Sequence, residues 1–185
     1  YQTQSLSNSK AWKDYPELAK AAADKEFKKY ISAGAVDFDT VEDWRVVKKD
    51  FEEPLVVILA LVWVWKFTEL DAAHHVLAAR LVALGDNLRD SNNIRVTGID
   101  DGEILYCLPP TLAQSRMFRA CEALKGHVVA SNDWKAAYLT APLQGRRSVW
   151  ARLPKELESE DGLRILAEGG SPVHRVKKAL YGLQR

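Results

Sequence analysis

An aspartate that closes an apolar run is the residue in this chain best placed to do chemistry. Residues 127–132 read HVVASN, a strand-like pattern, and Asp133 stands where that pattern ends. Strand ends project side chains into crevices, and a carboxylate there suits Mg²⁺, a hard cation that takes oxygen ligands. The same position also suits the N-cap of a following helix, and on position alone capping is the commoner role. Other groups offer less. Cys107 and Cys121 form no C-x-x-C pair and have no histidine pair at zinc spacing, which implies reduced thiols in an intracellular protein. His74 and His75 are neighbours whose side chains diverge, so they read as surface, while the isolated His127 and His174 read as structural. These cysteines and histidines alone build no metal site. Basic residues gather at Arg146, Arg147, Arg152 and Lys155 and again at Arg175, Lys177, Lys178 and Arg185, against Asp100, Asp101 and Glu103. A solvated basic face is the plain reading of such clusters.

The elements that must position Asp133 are legible in outline. Residues 10–31 predict a helix, with Pro16 in a first turn, alanines at 19 and 21–23, and Gly34 as its stop. Leu18, Phe27, Tyr30 and Ile31 give it only a loose apolar stripe, which suits an arm lying against the rest. Strand-like runs follow at 44–47, 55–67 and 79–84, and residues 85–102 are polar and loop-like. Thr111 predicts an N-cap after Pro109 and Pro110, opening a helix whose buried face is Leu112, Met117, Phe118, Cys121 and Leu124 and whose stop is Gly126. A strand at 127–132 and a short helix at 134–140, broken by Pro142, bracket Asp133. A strand is expected at 149–153, a polar excursion at 156–171, a strand at 173–176, and a helical pattern from Lys177 onward. That order implies an α+β fold with a sheet covered on one face.

Composition sets the outer limits. With 185 residues, 47% hydrophobic and 28% charged, the chain suits one globular domain, with or without a helical arm, rather than a disordered segment. A net charge of +1 gives no overall pull toward nucleic acid. The apolar run at 55–65, LVVILALVWVW, falls short of the roughly 20 residues a spanning helix needs, so it reads as a buried strand or hairpin arm. The polar start of the chain lacks the apolar core of a signal peptide.

The residues around Asp133 favour the metal reading over the cap. Asp133, Lys135, Ala137, Tyr138 and Leu139 fall in a string that resembles L-D-V-K-S/T-A-F-L, the first catalytic motif of copia-type retrotransposon reverse transcriptases. Asp133, Ala137, Tyr138, Pro142 and Leu143 also match the retroviral D-x-x-x-A-Y-x-x-x-P-L. Upstream, residues 62–67 resemble W-V-F/Y-K-x-K, residues 79–85 (ARLVALG) resemble K-A-R-L-V-A-x-G, and Gly98-Ile99-Asp100 resembles G-I/V-D-Y. Downstream, residues 149–154 resemble V-Y-M-x-x-P. Residues 173–184, VHRVKKALYGLQ, resemble V-x-K-L-K-K-A-L-Y-G-L-K-Q, the most specific of these strings.

The resemblance implies an α+β fingers-and-palm portion of an RNA-directed DNA polymerase within a longer Pol polyprotein. On it, residues 1–40 form a polar segment and helical arm, and residues 41–185 the partial fingers and palm. Asp133 would be catalytic and, with the backbone carbonyl of Trp134, would bind Mg²⁺ for two-metal nucleotidyl transfer. Arg80 would pair with the incoming triphosphate as a fork donor. Ala137, Tyr138, Tyr181 and Gly182 would line the nucleotide pocket, Tyr138 excluding a 2′-hydroxyl by volume. Lys177 and Lys178 match a template phosphate contact, although a solvated helix start serves as well. Partners would be an RNA or DNA primer-template and deoxynucleotides, in a cytoplasmic particle or the nucleus, with no membrane.

Departures from the pattern bear on activity. The family's Y/F-x-D-D pair follows the A-L-Y-G-L segment and is not among these residues, so the expectation is an interrupted palm, inactive as it stands, with an exposed sheet edge. Ile99-Asp100-Asp101 imitates that pair but precedes Asp133. Ala78 replaces the lysine of K-A-R-L-V, Asn132 a hydrophobic residue, and Thr140-Ala141 the family's N-G, while F-S-P-V is scrambled in residues 105–110. The alternative reading is a non-catalytic nucleic-acid-binding or structural remnant of a retroelement, marked by salt-dependent, sequence-blind binding.

Overall fold

One strand, far longer than its neighbours, organises the molecule. In a computed structural model, which describes residues 2–67, 75–96, 111, 113–114, 116–117, 120, 137–143 and 147–183, β3 (Leu55–Phe67) runs for 13 residues. At about 3.3 Å per residue that is roughly 40 Å. Its second half pairs antiparallel with β4 (His75–Ala83) on one side and with β1 (Gln2–Leu6) on the other. Its first four residues pair in parallel with β5 (Val149–Arg152), which continues antiparallel to β6 (Pro172–Arg175) and then β2 (Glu42–Asp43). The result is a mixed sheet with helices packed on it, compatible with the α+β expectation.

Alternation along β3 separates two cores. Leu55, Val57, Leu59, Leu61 and Trp63 are buried on one face with Leu77, Leu81, Val149 and Ala151. Helices α1 (Asn8–Asp14) and α2 (Pro16–Ala33) cover that face through Ala11, Ala19, Ala23 and Tyr30. On the other face Val56 packs with Trp150 and Val173 under Trp44 and Val47 of α3 (Trp44–Asp50). The sheet is therefore covered on both faces near β5 and β6, where one covered face was expected.

Several local expectations change for identifiable reasons. The single helix predicted from residue 10 is two, because Pro16 disfavours a helical residue before it and Tyr15 sits at φ −138°, ψ 51°. Pro16 opens α2 and Gly34, at φ 59°, ends it, as predicted. The stripe is different: Leu18 and Ile31 are each 51% exposed, and the buried face is Ala19, Ala23, Glu26 and Tyr30. Residues 44–47 are helical, not extended. The Asp43 carboxylate accepts Arg45 N–H at 2.9 Å as an N-cap, and Trp44 and Val47 share the buried side. Short apolar runs carry no decisive period, and here the cap decides. The polar excursion holds α5 (Glu160–Ala167), started by Ser159, whose Oγ accepts Gly162 N–H at 3.1 Å. No helix begins at Lys177; instead Val176 bridges to Val36, Lys178 bridges to Pro142, and a turn follows at 181–182.

Candidate functional site

Arg80 lies on β4 directly opposite Val62, on the face of the hairpin turned away from α2. It is exposed there, beside Val62 at 43% and Val76 at 53% exposure. Its neighbour Leu81 points the other way into the core, and the Leu81 carbonyl accepts the Tyr30 hydroxyl from α2. Burial, then Glu26 and Tyr181, push the Tyr30 phenol well above its ordinary range, so it stays a protonated donor. Two residues on, the Ala83 N–H donates to the Tyr181 carbonyl at 2.7 Å. The outer edge of β4 is thus occupied at Leu81 and Ala83, where an open edge would invite pairing with another chain.

Gly182 fits against the same strand end. Its φ is +85°, and a β-carbon there would lie 2.2 Å from the Ala83 carbonyl oxygen and 2.9 Å from Val82 Cγ1. Val82 is two residues from Arg80 and shares its face, so Gly182 sits next to the Arg80 row. The close approach is between backbones, which only glycine permits here.

A third segment meets these two. Ala137 and Tyr138 belong to α4 (Ala137–Thr140), which is followed by Pro142. Ala141 accepts Ala179 N–H at 2.9 Å, and Leu143 N–H donates to Lys177 at 3.1 Å. Leu139 and Leu180 are both buried in the main core. Three stretches separated in sequence, at 80–83, 137–143 and 177–182, are therefore joined by backbone hydrogen bonds. Asp133 and Trp134 lie outside the described residues, as do the strand at 127–132 and the Gly98–Asp100 motif.

The two lysines with a template role in the sequence reading are engaged inside the molecule. Lys177 Nζ lies 2.7 Å from the Asp37 carboxylate, and that ammonium, as hydrogen-bond donor, holds Asp37 below the usual carboxylate range. Lys178 Nζ donates to the Ala33 carbonyl at the end of α2. Both fasten the 176–183 segment to the chain after α2. Thr111 is an N-cap as predicted: Gln114 N–H donates to its Oγ1 at 3.2 Å, while Thr111 N–H donates to Gln114 Oε1 at 2.8 Å. Met117, assigned to that helix's buried face, is 70% exposed.

Sequence reading missed two polar groupings. His174 and Glu158 are both about 1% exposed and paired at 3.1 Å, Nε2 to Oε2. They are sixteen residues apart with the helix α5 between them, and no local pattern announces such a pair. Arg152 and Arg89 flank the start of β3 on the α3 face, and among the described residues no carboxylate is paired with either. An open cleft of about 490 Å³ beside them is lined by Arg45, Lys48 and Lys49 of α3 with Ser91 and Asn92. Among the described residues no three or more His, Cys, Asp or Glu side chains converge as a metal site, and no helix is long and apolar enough to cross a membrane. Comparison of the chain with protein-family models, with curated proteins and with solved structures finds no match.

Proposed function

We propose that this chain is the fingers-and-palm portion of a copia-type retrotransposon reverse transcriptase, carried in a Pol polyprotein and acting in RNA-directed DNA synthesis. The ordered run of matching strings motivates the reading. The observation that supports it best is the meeting of three of those strings in space. R-L-V-A on β4, A-Y-L-T-A-P-L around α4, and K-K-A-L-Y-G-L at 177–183 are tied by the Ala83–Tyr181, Ala141–Ala179 and Leu143–Lys177 backbone bonds. A nucleotide pocket needs such a convergence, because phosphate, sugar and base are gripped by groups from different segments.

In this reading Arg80 reaches the triphosphate from the hairpin, its fork geometry matching two phosphate oxygens. Tyr138 sets the room beneath the sugar. Gly182, lacking a side chain, lets the 181–182 turn pack on β4 beside Arg80 and so bound the pocket. Asp133 and the Trp134 carbonyl would hold Mg²⁺, which would supply charge stabilisation for the phosphates. Primer-template and deoxynucleotides are the partners, in a cytoplasmic particle or the nucleus.

The test begins with the native transcript read beyond the codon for Arg185. A continuing frame with Y/F-x-D-D at family spacing is expected, and the protein expressed through it should extend a primer with Mg²⁺. Asp133→Ala should abolish that extension without lowering the melting temperature. A frame lacking the acidic pair, or extension that survives Asp133→Ala, would sink the polymerase reading.

A further inference from the structure

Arg89 and Arg152 stand on opposite sides of β3 and on one of its faces. Arg89 is bridged to Val56 by backbone bonds of 2.8 and 2.9 Å, and Arg152 pairs with Ile58. Val56 and Ile58 are two residues apart, so both arginines rise on the side that carries α3. Among the described residues no carboxylate is paired with either guanidinium. Arg89 donates to Asn87 Oδ1 at 3.0 Å and to the Asn93 carbonyl at 2.9 Å, which aims its guanidinium without neutralising it. The nearby Asp90 carboxylate is consumed by the Asn92 and Ile94 N–H groups, at 2.9 and 2.8 Å. Arg152 is half-buried, and its Nε is buried with no hydrogen-bond partner. Burial, and after it the charge of Arg89, lower its affinity for its own proton.

Two guanidiniums on one face of the sheet, one of them half-buried with an unpartnered Nε, are costly unless an anion joins them. We propose that Arg89 and Arg152 form an oxyanion site that takes a phosphate group. Planar forks from two strands suit a tetrahedral anion, which can accept from both at once. The surroundings extend the same charge. Arg45, Lys48 and Lys49 line the adjoining cleft with Ser91 and Asn92, and those two belong to the turn that anchors Arg89. Lys48 and Lys49 form no ion pair among the described residues. Along β3 the same face continues through Ala60 to Val62, opposite Arg80, about 13 Å from Ile58 at strand rise. The assignment does not use Asp133, and Arg152 stands at an unspecified position of the 149–154 string, so it stands or falls apart from the polymerase reading.

Two sources of phosphate are distinguishable by experiment. The full chain would be titrated with inorganic pyrophosphate by calorimetry, and with a short labelled oligonucleotide by fluorescence anisotropy at several salt concentrations. Arg152→Gln and Arg89→Gln should each weaken binding by about tenfold, the loss expected for a charge-assisted hydrogen bond. Arg164→Gln, in α5 and paired with Asp161, should leave binding unchanged. Tight pyrophosphate binding with a weak strand would assign the site to a free or nucleotide phosphate. Strand binding whose salt slope drops by about 1 in each variant would assign it to the phosphodiester backbone. The Arg89 side chain donates to Asn87 and Asn93 of its own turn, and its bonds to Val56 are backbone ones that glutamine keeps, so Arg89→Gln reports on binding even where Arg152→Gln fails to fold. Binding that is absent for both probes, or equal in wild type and Arg89→Gln, would overturn the proposal.

Discussion

Gly182 shows how a single position can be set by backbone rather than side-chain chemistry. Its φ of +85° lies where L-residues with side chains are strained, and the space a β-carbon needs is taken by the Ala83 carbonyl. Relief by side-chain rotation is impossible, because the obstruction is main chain. Gly182→Ala should therefore destabilise the fold by about 1–3 kcal/mol, and urea denaturation would read that loss directly. A loss near zero would mean that the 181–182 turn does not pack on β4. Asp43 is the second such position. Its carboxylate caps α3 through Arg45 N–H at 2.9 Å, reaches Ser171 N–H at 3.4 Å and pairs with the Arg45 guanidinium. Asp43→Ala should cost about 1 kcal/mol through the cap, while Asp43→Asn, which keeps a capping oxygen, should cost less. Equal losses in the two variants would assign the effect to charge instead.

At the scale of elements, the tie between α2 and β4 is the joint on which Arg80 depends. Tyr30 is fully buried and its hydroxyl donates to the Leu81 carbonyl, the residue next to Arg80. Tyr30→Phe keeps the ring and strands that carbonyl in an apolar setting, so a loss of about 1–2 kcal/mol is expected. Hydrogen exchange should speed most at β4 amides, and uniform acceleration across the sheet would contradict a local joint. Much of this element structure was legible in the residues. The run at 55–67 reads as a strand from its β-branched and aromatic content, and Pro16, Gly34 and Thr111 mark helix ends by known backbone constraints. What misled was brevity. Residues 44–47 are apolar and β-branched, yet a cap at Asp43 makes them helical; a glycine in 156–171 hid a Ser159-capped helix. The candidate site was legible as strings, but its geometry arises from contacts between residues far apart in sequence, such as Ala83 with Tyr181. Arg152 read only as part of a solvated basic cluster and Arg89 gave no signal, because register across β3 is what sets them on one face, with Arg152 half-buried.

Over the whole molecule, charge placement bounds the pH range in which the fold holds. Asp37 and Asp43 both have carboxyl groups held below the ordinary range, the first chiefly by Lys177 and the second chiefly by Arg45. Each ties distant segments: Asp37 joins the chain after α2 to the 176–183 stretch, and Asp43 joins α3 to Ser171. The unfolded chain takes up these protons near pH 4, before the native state does. Their stabilisation is therefore complete above that value and disappears as pH falls through the depressed native values. Tyr30 works at the opposite end. Its native proton is held above the phenol's ordinary range near 10, so its contribution is complete below that pH and is lost as pH climbs toward the raised value. Urea midpoints measured from pH 3 to 11 should form a plateau that declines on both sides. The paired Asp37→Asn, Asp43→Asn variant should flatten the acid limb alone, and Tyr30→Phe the alkaline limb alone. Wild-type slopes surviving on both limbs would place the titrating groups elsewhere.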